Sequence, residues 1–370
     1  MNKESRMQHS AANLLVTPLT PWHKANGGRL VPFAGWEMPV QYEGILAEHK
    51  HTRSSASIFD ICHMGEFYVS GPNAGKALST IVTHNLKTLP PGQCRYGFIL
   101  NQLGGVLDDL IIYRLDQDEY MIVVNGACID NDFGWFSSHL PEEITIENRS
   151  FSTGKIDLQG PKSFDILNEI IPGAWKNLKY FHFVHTELNG TKILVSRTGY
   201  TGELGYELYM DWDKALGVWE TFLAYEDVKP AGLGARDTLR LEMGLPLYGQ
   251  DLDTEHTPVE AGYGFFLKSE AEYIGKKYQD NPQEKLIPMI IKGRRSARHG
   301  DDVFLPDGTL AGKVTSGSFA PSLGDSVVLA YIRAELAENN DIFEIRGRSV
   351  LKARKTSTPF YTQGTARITL

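Results

Sequence analysis

Cysteine is scarce in this chain: three residues in 370, Cys62, Cys94 and Cys128, widely spaced and with no C-x-x-C pair among them. That usage excludes a disulfide framework, offers no metal knuckle, and suits reduced thiols in a cytosol or matrix. Long apolar runs are absent too. Nothing approaches the ~20 residues that span a bilayer, and the opening MNKESRMQHSAANLLVTPL carries charges but no apolar run of signal-peptide length. Neither export nor membrane insertion is expected, and Glu4 argues against a mitochondrial transit peptide. A basic excess is missing: 37 Lys and Arg against 45 Asp and Glu leave a net charge of -8. Such a field repels polyanions, so general nucleic-acid binding is not expected. No G-x-S-x-G nucleophile elbow occurs, which leaves hydrolase chemistry without an anchor.

What is present is ordinary globular material, 42% hydrophobic and 22% charged, in a chain long enough for two or three packed domains. Two segments resemble each other: FYVSGPNAGKALSTIV (67–82) and KIDLQGPKSFDILNEII (155–171), each an apolar strand, a Gly-Pro turn and a helix-period stretch. Each is followed by a further strand and helix, YMIVVNGACIDNDFGWFSSHL (120–140) and YELYMDWDKALGVWETFLAY (206–225). This predicts an internal duplication of a strand-helix-strand-strand-helix unit in an α+β fold, with helices packed on antiparallel strands. From about Leu286 the pattern changes to short strands between turn residues, which predicts an all-β barrel or jelly roll. Between them, AGLGARDTLRLEMGLPLYGQDL (231–252) reads as a connector with a short helix ending near Gly244.

Several motifs fail on inspection. GLGARD (232–237) starts like a dinucleotide fingerprint, but its third glycine is absent and the preceding EDVKP does not read as a buried strand. GPNAGK (71–76) is one residue short of a phosphate loop, so it reads as a turn. His182 and His185 lie in a strand-like aromatic stretch without a third ligand and read as core or surface histidines.

Three features resist a purely structural reading. GGVLDDLIIY (104–113) sets two acids at the mouth of an apolar strand; alternation puts Asp109, Ile111 and Tyr113 on one face and Asp108, Leu110 and Ile112 on the other. One acid is then solvated or caps the glycine turn, while the other sits inside with a tyrosine neighbour and requires a partner. SRTGYTGELGYELY (196–209) has glycines that permit close backbone approach, and Glu207 then enters an apolar strand. Arg236, in the first turn of a helix, opposes the macrodipole and calls for an anion, although a surface arginine explains it equally well. Together they make chemical sense for one ligand type. A 2-amino-4-oxopteridine presents a ring N–H and an amino group that a carboxylate accepts side by side, a carbonyl edge that suits arginine, and flat faces for tyrosines.

At these residues the chain resembles the aminomethyltransferase family of the glycine cleavage system, the T-protein. The likeness is carried by TPLTPWHKANGGRLVPFAGWEMPVQYEGILAEH, FDICHMGEFYVSGP, NQLGGVLDDLIIYRL, SRTGYTGELGYELY, GLGARDTLRLEMGLPLYGQDL, TPVEAGYGFFLK and VTSGSFAPSLG, in order along nearly the whole chain. Related folate-binding factors of iron-sulfur assembly carry KGCYxGQE where this chain has RTGYTGEL, which counts against them. Cys62 stands where the family usually has serine.

The resemblance implies a three-domain cloverleaf: residues 1–62 and 153–280 as a discontinuous folate-binding α+β domain, 63–152 as a second α+β domain carrying the catalytic aspartate, and 281–370 as an all-β barrel. It implies Asp109 as the catalytic residue. It implies a folate pocket of Glu207, Arg236, Met64, Tyr96, Tyr113, Val123, Asn125, Tyr200 and Tyr361, with Asp108 structural and no metal. The implied reaction moves a methylene group from the aminomethyl-dihydrolipoyl arm of a lipoylated H-protein to tetrahydrofolate, giving 5,10-methylenetetrahydrofolate and ammonia. The co-substrate would be tetrahydrofolate and the lipoyl group would come from the partner. The setting would be cytoplasmic, or the mitochondrial matrix in a eukaryote, with no membrane or nucleic-acid partner. The basic segment IIKGRRSARHG (290–300) gives Lys292, Arg294, Arg295 and Arg298 as an H-protein docking patch, or else a solvated loop. A same-fold folate-dependent demethylase and a non-catalytic folate-binding module remain the alternatives.

Overall fold

The computed structural model describes residues 14–279 and 282–370. The expected character of the first thirteen residues and the exact 280/281 domain boundary lie outside the described residues. Helix α1 (Thr20–Ala25) and a hairpin of β1 (Arg29–Phe33) and β2 (Trp36–Gln41) lead through α2 (Ile45–Ser54) to β3 (Ala56–Asp60). The chain then builds a five-stranded sheet from β4 (Gly65–Ser70), β5 (Gln93–Leu100), β6 (Val106–Asp116), β7 (Glu119–Val124) and β8 (Thr145–Asn148), with α3 (Ala74–Leu78) and α4 (Ile129–His139). It returns to β3 with β9 (Thr153–Gln159), α5 (Ser163–Ile170), β10 (Phe183–Leu188), β11 (Thr191–Ser196), β12 (Gly205–Asp211), α6 (Ala215–Leu223) and β13 (Val228–Pro230), which complete a six-stranded sheet. Helix α7 (Leu233–Glu242) and a long irregular segment precede a closed six-stranded barrel. Its strands are β14 (Glu284–Ile291), β15 (Asp302–Phe304), β16 (Leu310–Ala320), β17 (Asp325–Arg333), β18 (Ile342–Arg346) and β19 (Val350–Lys355), with α8 (Ala334–Asn339) outside it.

The expected duplication is visible in strand order. The run β5-β6-β7-β4 of one sheet answers β10-β11-β12-β9 of the other. Both Gly-Pro turns use a glycine at φ 137°, and a Cβ there would lie 2.7 Å from the Glu143 carbonyl oxygen at Gly71 and 2.1 Å from that of Ser55 at Gly160. Only glycine fits. Each copy holds three strands between its helices, one more than expected, because β10 is an edge strand whose exposed Val184 and His185 blur the alternation. EDVKP also departs from expectation: Val228–Pro230 pairs in parallel with β3, a strand too short for any periodicity to announce. The start of α7 beyond it is nonetheless no anion site. The Gly232 amide donates to Glu48 Oε2 at 2.9 Å, and that same side chain accepts from the Tyr42 and Gly44 amides.

Helices cover one face of each sheet. Phe67, Leu110, Ile112 and Ile122 bury against Ala74, Leu78 and Phe136 in the first, while Ile156, Leu158 and Leu208 bury against Leu167, Trp219 and Phe222 in the second. The other two faces meet each other through Cys94, Tyr113, Met121 and Val123 on one side and Phe183, Leu194 and Tyr209 on the other. All three cysteines are free and buried.

The barrel is tied in by buried polar groups. Arg240 on α7 reaches Asp251 Oδ2 at 2.7 Å and Ser316 Oγ at 3.0 Å, and Tyr331 donates to the Asp251 carbonyl at 2.9 Å. After β19 the tail leaves the barrel: the Ala366 amide donates to Gly202, and Arg197 to the Ile368 carbonyl. Not all of 281–370 therefore belongs to the barrel. His256 forms a second tie, stacked on Tyr331 with centroids 3.6 Å apart and bonded to Asp253 at 2.8 Å and Glu284 at 2.9 Å. The His256 and Asp253 carbonyls both accept from the Val106 amide, so this clamp sits at the root of β6.

Burial would lower the His256 pKa, but Asp253 and Glu284 outweigh it and hold it up at about 9. A raised folded-state value contributes stability that is complete below the unfolded pKa of ~6.5 and lost as pH rises through about 9. His256→Gln should therefore lower the thermal midpoint most at pH 6, and the two melting curves should converge above pH 9.

Candidate active site between the two sheets

Strand β6 divides its side chains between two surroundings. Asp108, Leu110 and Ile112 point toward α3 and α4, while Asp109, Ile111 and Tyr113 point into the interface between the sheets. Asp108 is 0% exposed, so it is neither the solvated acid nor the turn cap that the sequence suggested. The glycine turn is capped by Asn101, whose Oδ1 accepts from the Leu103 and Gly105 amides at 2.8 and 3.0 Å. Gly105 is required because a Cβ would fall 1.9 Å from the Thr254 carbonyl oxygen. Asp108 instead accepts from Asn125, from the backbone amide at 3.0 Å and from Nδ2 at 2.8 Å.

Asp109 is half-buried and held by neutral donors. Tyr96 donates its hydroxyl to Oδ2 at 2.9 Å, and Asn125 Nδ2 donates to Oδ1 at 2.8 Å. Burial first, and the neighbouring Asp108 second, push its pKa up to about 7 against the opposing hydrogen bonds. The carboxyl is thus poised to hold or release a proton near neutrality.

Across the interface, β12 and β9 pair with Glu207 opposite Asp157 and Tyr209 opposite Lys155. Lys155, 1% exposed, contacts Glu207 Oε1 at 3.1 Å and Met64 Sδ at 3.3 Å. Glu207 Oε2 accepts from Thr198 at 2.6 Å, and from Tyr209 and Tyr113 at 3.2 and 3.3 Å. Burial alone would raise the Glu207 carboxyl; Lys155, Thr198 and Arg236 together hold it below its ordinary value. Arg236 pairs with the fully buried Asp157 and lies over the Tyr200 ring at 4.9 Å. Asp157 is the anion that the position of Arg236 called for. Glu66, on the interface face of β4 and 1% exposed, has no partner for either carboxyl oxygen among the described residues. Its burial pushes it well above the ordinary range, with Lys155 opposing and Glu207 reinforcing.

The structure therefore brings Asp109, Tyr96, Asn125, Tyr113, Val123, Met64, Glu207, Arg236 and Tyr200 to one interface or its edge. Tyr361 lies under Arg53 at 4.3 Å and donates its amide to the Glu242 carbonyl. Lys155, Asp157, Thr198 and Tyr209 were not anticipated. For Lys155 and Asp157 the signal was present in KIDLQ, where Lys155, Asp157 and Gln159 alternate strictly with Ile156 and Leu158 and mark a polar face inside an apolar strand. Arg294 and Arg298 line an open groove of about 430 Å³ with Leu46, Gly234, Asp237 and Phe319, against the helix that carries Arg236. Lys292 is bound to Asp325 at 2.6 Å.

Removing one partner of a buried ion pair strands the other, at a cost of roughly 3 to 5 kcal/mol. Lys155→Met should lose about that much in urea denaturation. The double variant Lys155→Met/Glu207→Gln should recover more than half of it.

A GCVT N-terminal domain model matches residues 19–271, and a glycine cleavage T-protein C-terminal barrel domain model matches residues 285–362. An aminomethyltransferase of Halothermothrix orenii is 43% identical over 345 residues, covering 90% of this chain and 96% of that protein. One of Bacillus subtilis is 39% identical over 357 residues, covering 93% and 98%. The crystal structure of glycine cleavage system aminomethyltransferase T from Bartonella henselae superposes with a TM-score of 0.89 at 31% identity, over 95% of this chain and 99% of that one. By sequence along nearly its whole length and by fold, the chain belongs to the glycine cleavage T-protein family of aminomethyltransferases.

Proposed function

We propose that this chain transfers the methylene carbon of the aminomethyl-dihydrolipoyl arm of lipoylated H-protein to tetrahydrofolate, yielding 5,10-methylenetetrahydrofolate, ammonia and dihydrolipoyl H-protein. The observation that carries the mechanism is Asp109: a half-buried carboxylate, fixed by two neutral donors, on the same strand face as the hydroxyl that Tyr113 turns to Glu207. As ring nitrogen 5 of the folate attacks the sulfur-bound carbon, an iminium-like cation develops. A fixed anion stabilises charge where it forms, with no reorganisation at the moment of reaction.

Glu207 and Arg236 would hold the two edges of the pteridine. Glu207 Oε2 already accepts three hydroxyls, so a ligand edge taking both oxygens must displace the two tyrosine contacts at 3.2 and 3.3 Å, which are the longest of the set. Glu66, with both oxygens unpartnered, is a further polar group that a heterocycle edge could satisfy. Tyr96, Tyr113, Met64, Val123, Asn125, Tyr200 and Tyr361 would supply walls and orientation. The units are taken as 1–62 with 153–280, then 63–152, then 281–370, the C-terminal tail folding back on the first. No described helix is long and apolar enough to cross a membrane, and a cytoplasmic setting shared with the carrier is proposed.

For docking, Lys292 is exposed but paired with Asp325, which leaves Arg294, Arg295 and Arg298 as the segment's exposed cations without an ion pair among the described residues. Their groove abuts α7, so an acidic carrier seated there would lie beside the helix that positions Arg236.

The decisive experiment supplies aminomethylated H-protein and tetrahydrofolate and follows ammonia release; none from the folded wild type would reject the reaction. Asp109→Asn should cut turnover by ~100-fold to ~1000-fold, equivalent to ~3 to 4 kcal/mol of transition-state stabilisation, with folate affinity, read by fluorescence quenching, changing far less. Replacing Arg294 and Arg295 with serine should raise the apparent KM for H-protein, and the wild-type KM should itself worsen with added salt, while turnover at saturating carrier stays nearly constant.

A further inference from the structure

Behind Asp109, on the helix side of β6, lies an acid that the proposed chemistry does not use. Asp132, in the first turn of α4, is 2% exposed, and its Oδ2 has no partner among the described residues. A carboxyl oxygen of Asp108, one of Asp132 and the sulfur of Cys128 all lie within 4.8 Å of one another. Two carboxylates this close and this buried cannot both be ionised, so the pair shares one proton.

Geometry decides where the proton sits. Asp108 accepts from the Asn125 backbone amide at 3.0 Å and from its Nδ2 at 2.8 Å, both of which favour a charged acceptor. No such donor among the described residues reaches Asp132, so the proton belongs to Asp132 and the charge to Asp108. Burial and then Asp108 push Asp132 up to about 10, in the same sense. Asn125 Nδ2 is divided between Asp108 Oδ1 and Asp109 Oδ1, each at 2.8 Å. The amide is thereby pinned from behind by one carboxylate while it holds the other.

The remaining ionisable groups around this row are Tyr96 from β5, Tyr200 and Tyr263 on the Asp109 side, and Cys128 and Tyr248 on the Asp108 side. Burial keeps those phenols and that thiol protonated well beyond neutral pH. Among these groups Asp109, held at about 7, is the one whose proton exchanges near neutrality.

We propose that Asp132 is a positioning residue for the transfer site: as a neutral acid it donates to Asp108, keeps that carboxylate charged, and through the shared amide of Asn125 fixes Asp109 beside a standing negative charge. The inference rests on Asp109 being the reacting carboxylate. Its consequence is a base held near neutrality, where an isolated aspartate would already be fully ionised.

Asp132→Ala removes one of the donors that keep Asp108 charged; left with the two Asn125 N–H groups against its burial, Asp108 is expected to take up a proton, and the charge beside Asp109 falls. Asp109 should then ionise at a pH lower by about 1 unit, the smaller end of a neighbouring-charge effect. Asp132→Asn keeps an N–H donor in place and should leave Asp109 where it is in the wild type. Two readouts follow this: the acid limb of kcat/KM for ammonia release, and the carboxyl resonance of Asp109 in enzyme carrying 13C-labelled aspartate, assigned by its loss in Asp109→Asn. The resonance titrates whether or not the enzyme turns over, so a wild type that releases no ammonia would reject the reaction and still leave this inference decidable. Should Asp132→Ala fail to fold, Asp132→Leu fills the space without a donor and carries the same expected shift. An unmoved Asp109 midpoint in the folded apolar variant would overturn the proposal, and so would an equal shift in Asp132→Asn. So would a stoichiometric divalent metal in the purified protein, since these same three side chains could hold one.

Discussion

The candidate site depends on one constraint, the period-two alternation of a single strand buried on both faces. Strand β6 has helices on one side and a second sheet on the other, so adjacent aspartates enter two separate interiors. A register slip of one residue would send Leu110 and Asp108 to the sheet interface and put Tyr113 under α4, and no polar partner of either acid would survive it. The register is fixed at its root, where the Val106 amide binds the Asp253 and His256 carbonyls and Gly105 lies against Thr254. Those contacts come from the long segment that leads to the barrel. The barrel therefore holds β6 in place, through His256 stacked on Tyr331.

The duplication explains how such an interior arose from simple parts. Two copies of one sheet, each covered by its own helices, have one face left over, and the two faces cover each other. The copies are not chemically equal. β4 gives the interface Glu66 and Tyr68, whereas β9, its counterpart, gives Lys155 and Asp157. Antiparallel register then sets Asp157 opposite Glu207 and Lys155 opposite Tyr209, so that Lys155 and Arg236 can each neutralise one acid. Buried charge at this density is tolerated because both pairs are hydrogen-bonded as well as opposed in sign.

Much of this was legible in the chain because it is local. The two Gly-Pro turns marked the repeat, strand alternation placed Asp109 and Tyr113 together, and turn residues after Leu286 announced the barrel. What failed was non-local. Asp108 looked free to be solvated because nothing beside it in sequence covers it; the cover is α4, from beyond the next strand. Lys155 and Asp157 were partners that only the β9–β12 register could reveal. Three residues of β13 carry no period, and the edge position of β10 hid its alternation.

The two halves of the interface treat charge in opposite ways, and that difference has a chemical meaning. On the six-stranded side, two acids and two cations are matched: Glu207 with Lys155, Asp157 with Arg236. That balanced set can bind a polar but nearly neutral heterocycle without a net field of its own. On the five-stranded side, Asp109 is held by a phenol and an amide, and the amide's other acceptor is a second carboxylate. The negative potential there is left unmatched in the folded protein, and folding energy elsewhere sustains it. An uncompensated anion in a low-dielectric interior is unfavourable until a cation forms beside it, which is what the proposed reaction would supply at Asp109. In the proposed reaction the matched half would hold the ligand, while the unmatched half would favour the charge that the ligand acquires as it reacts.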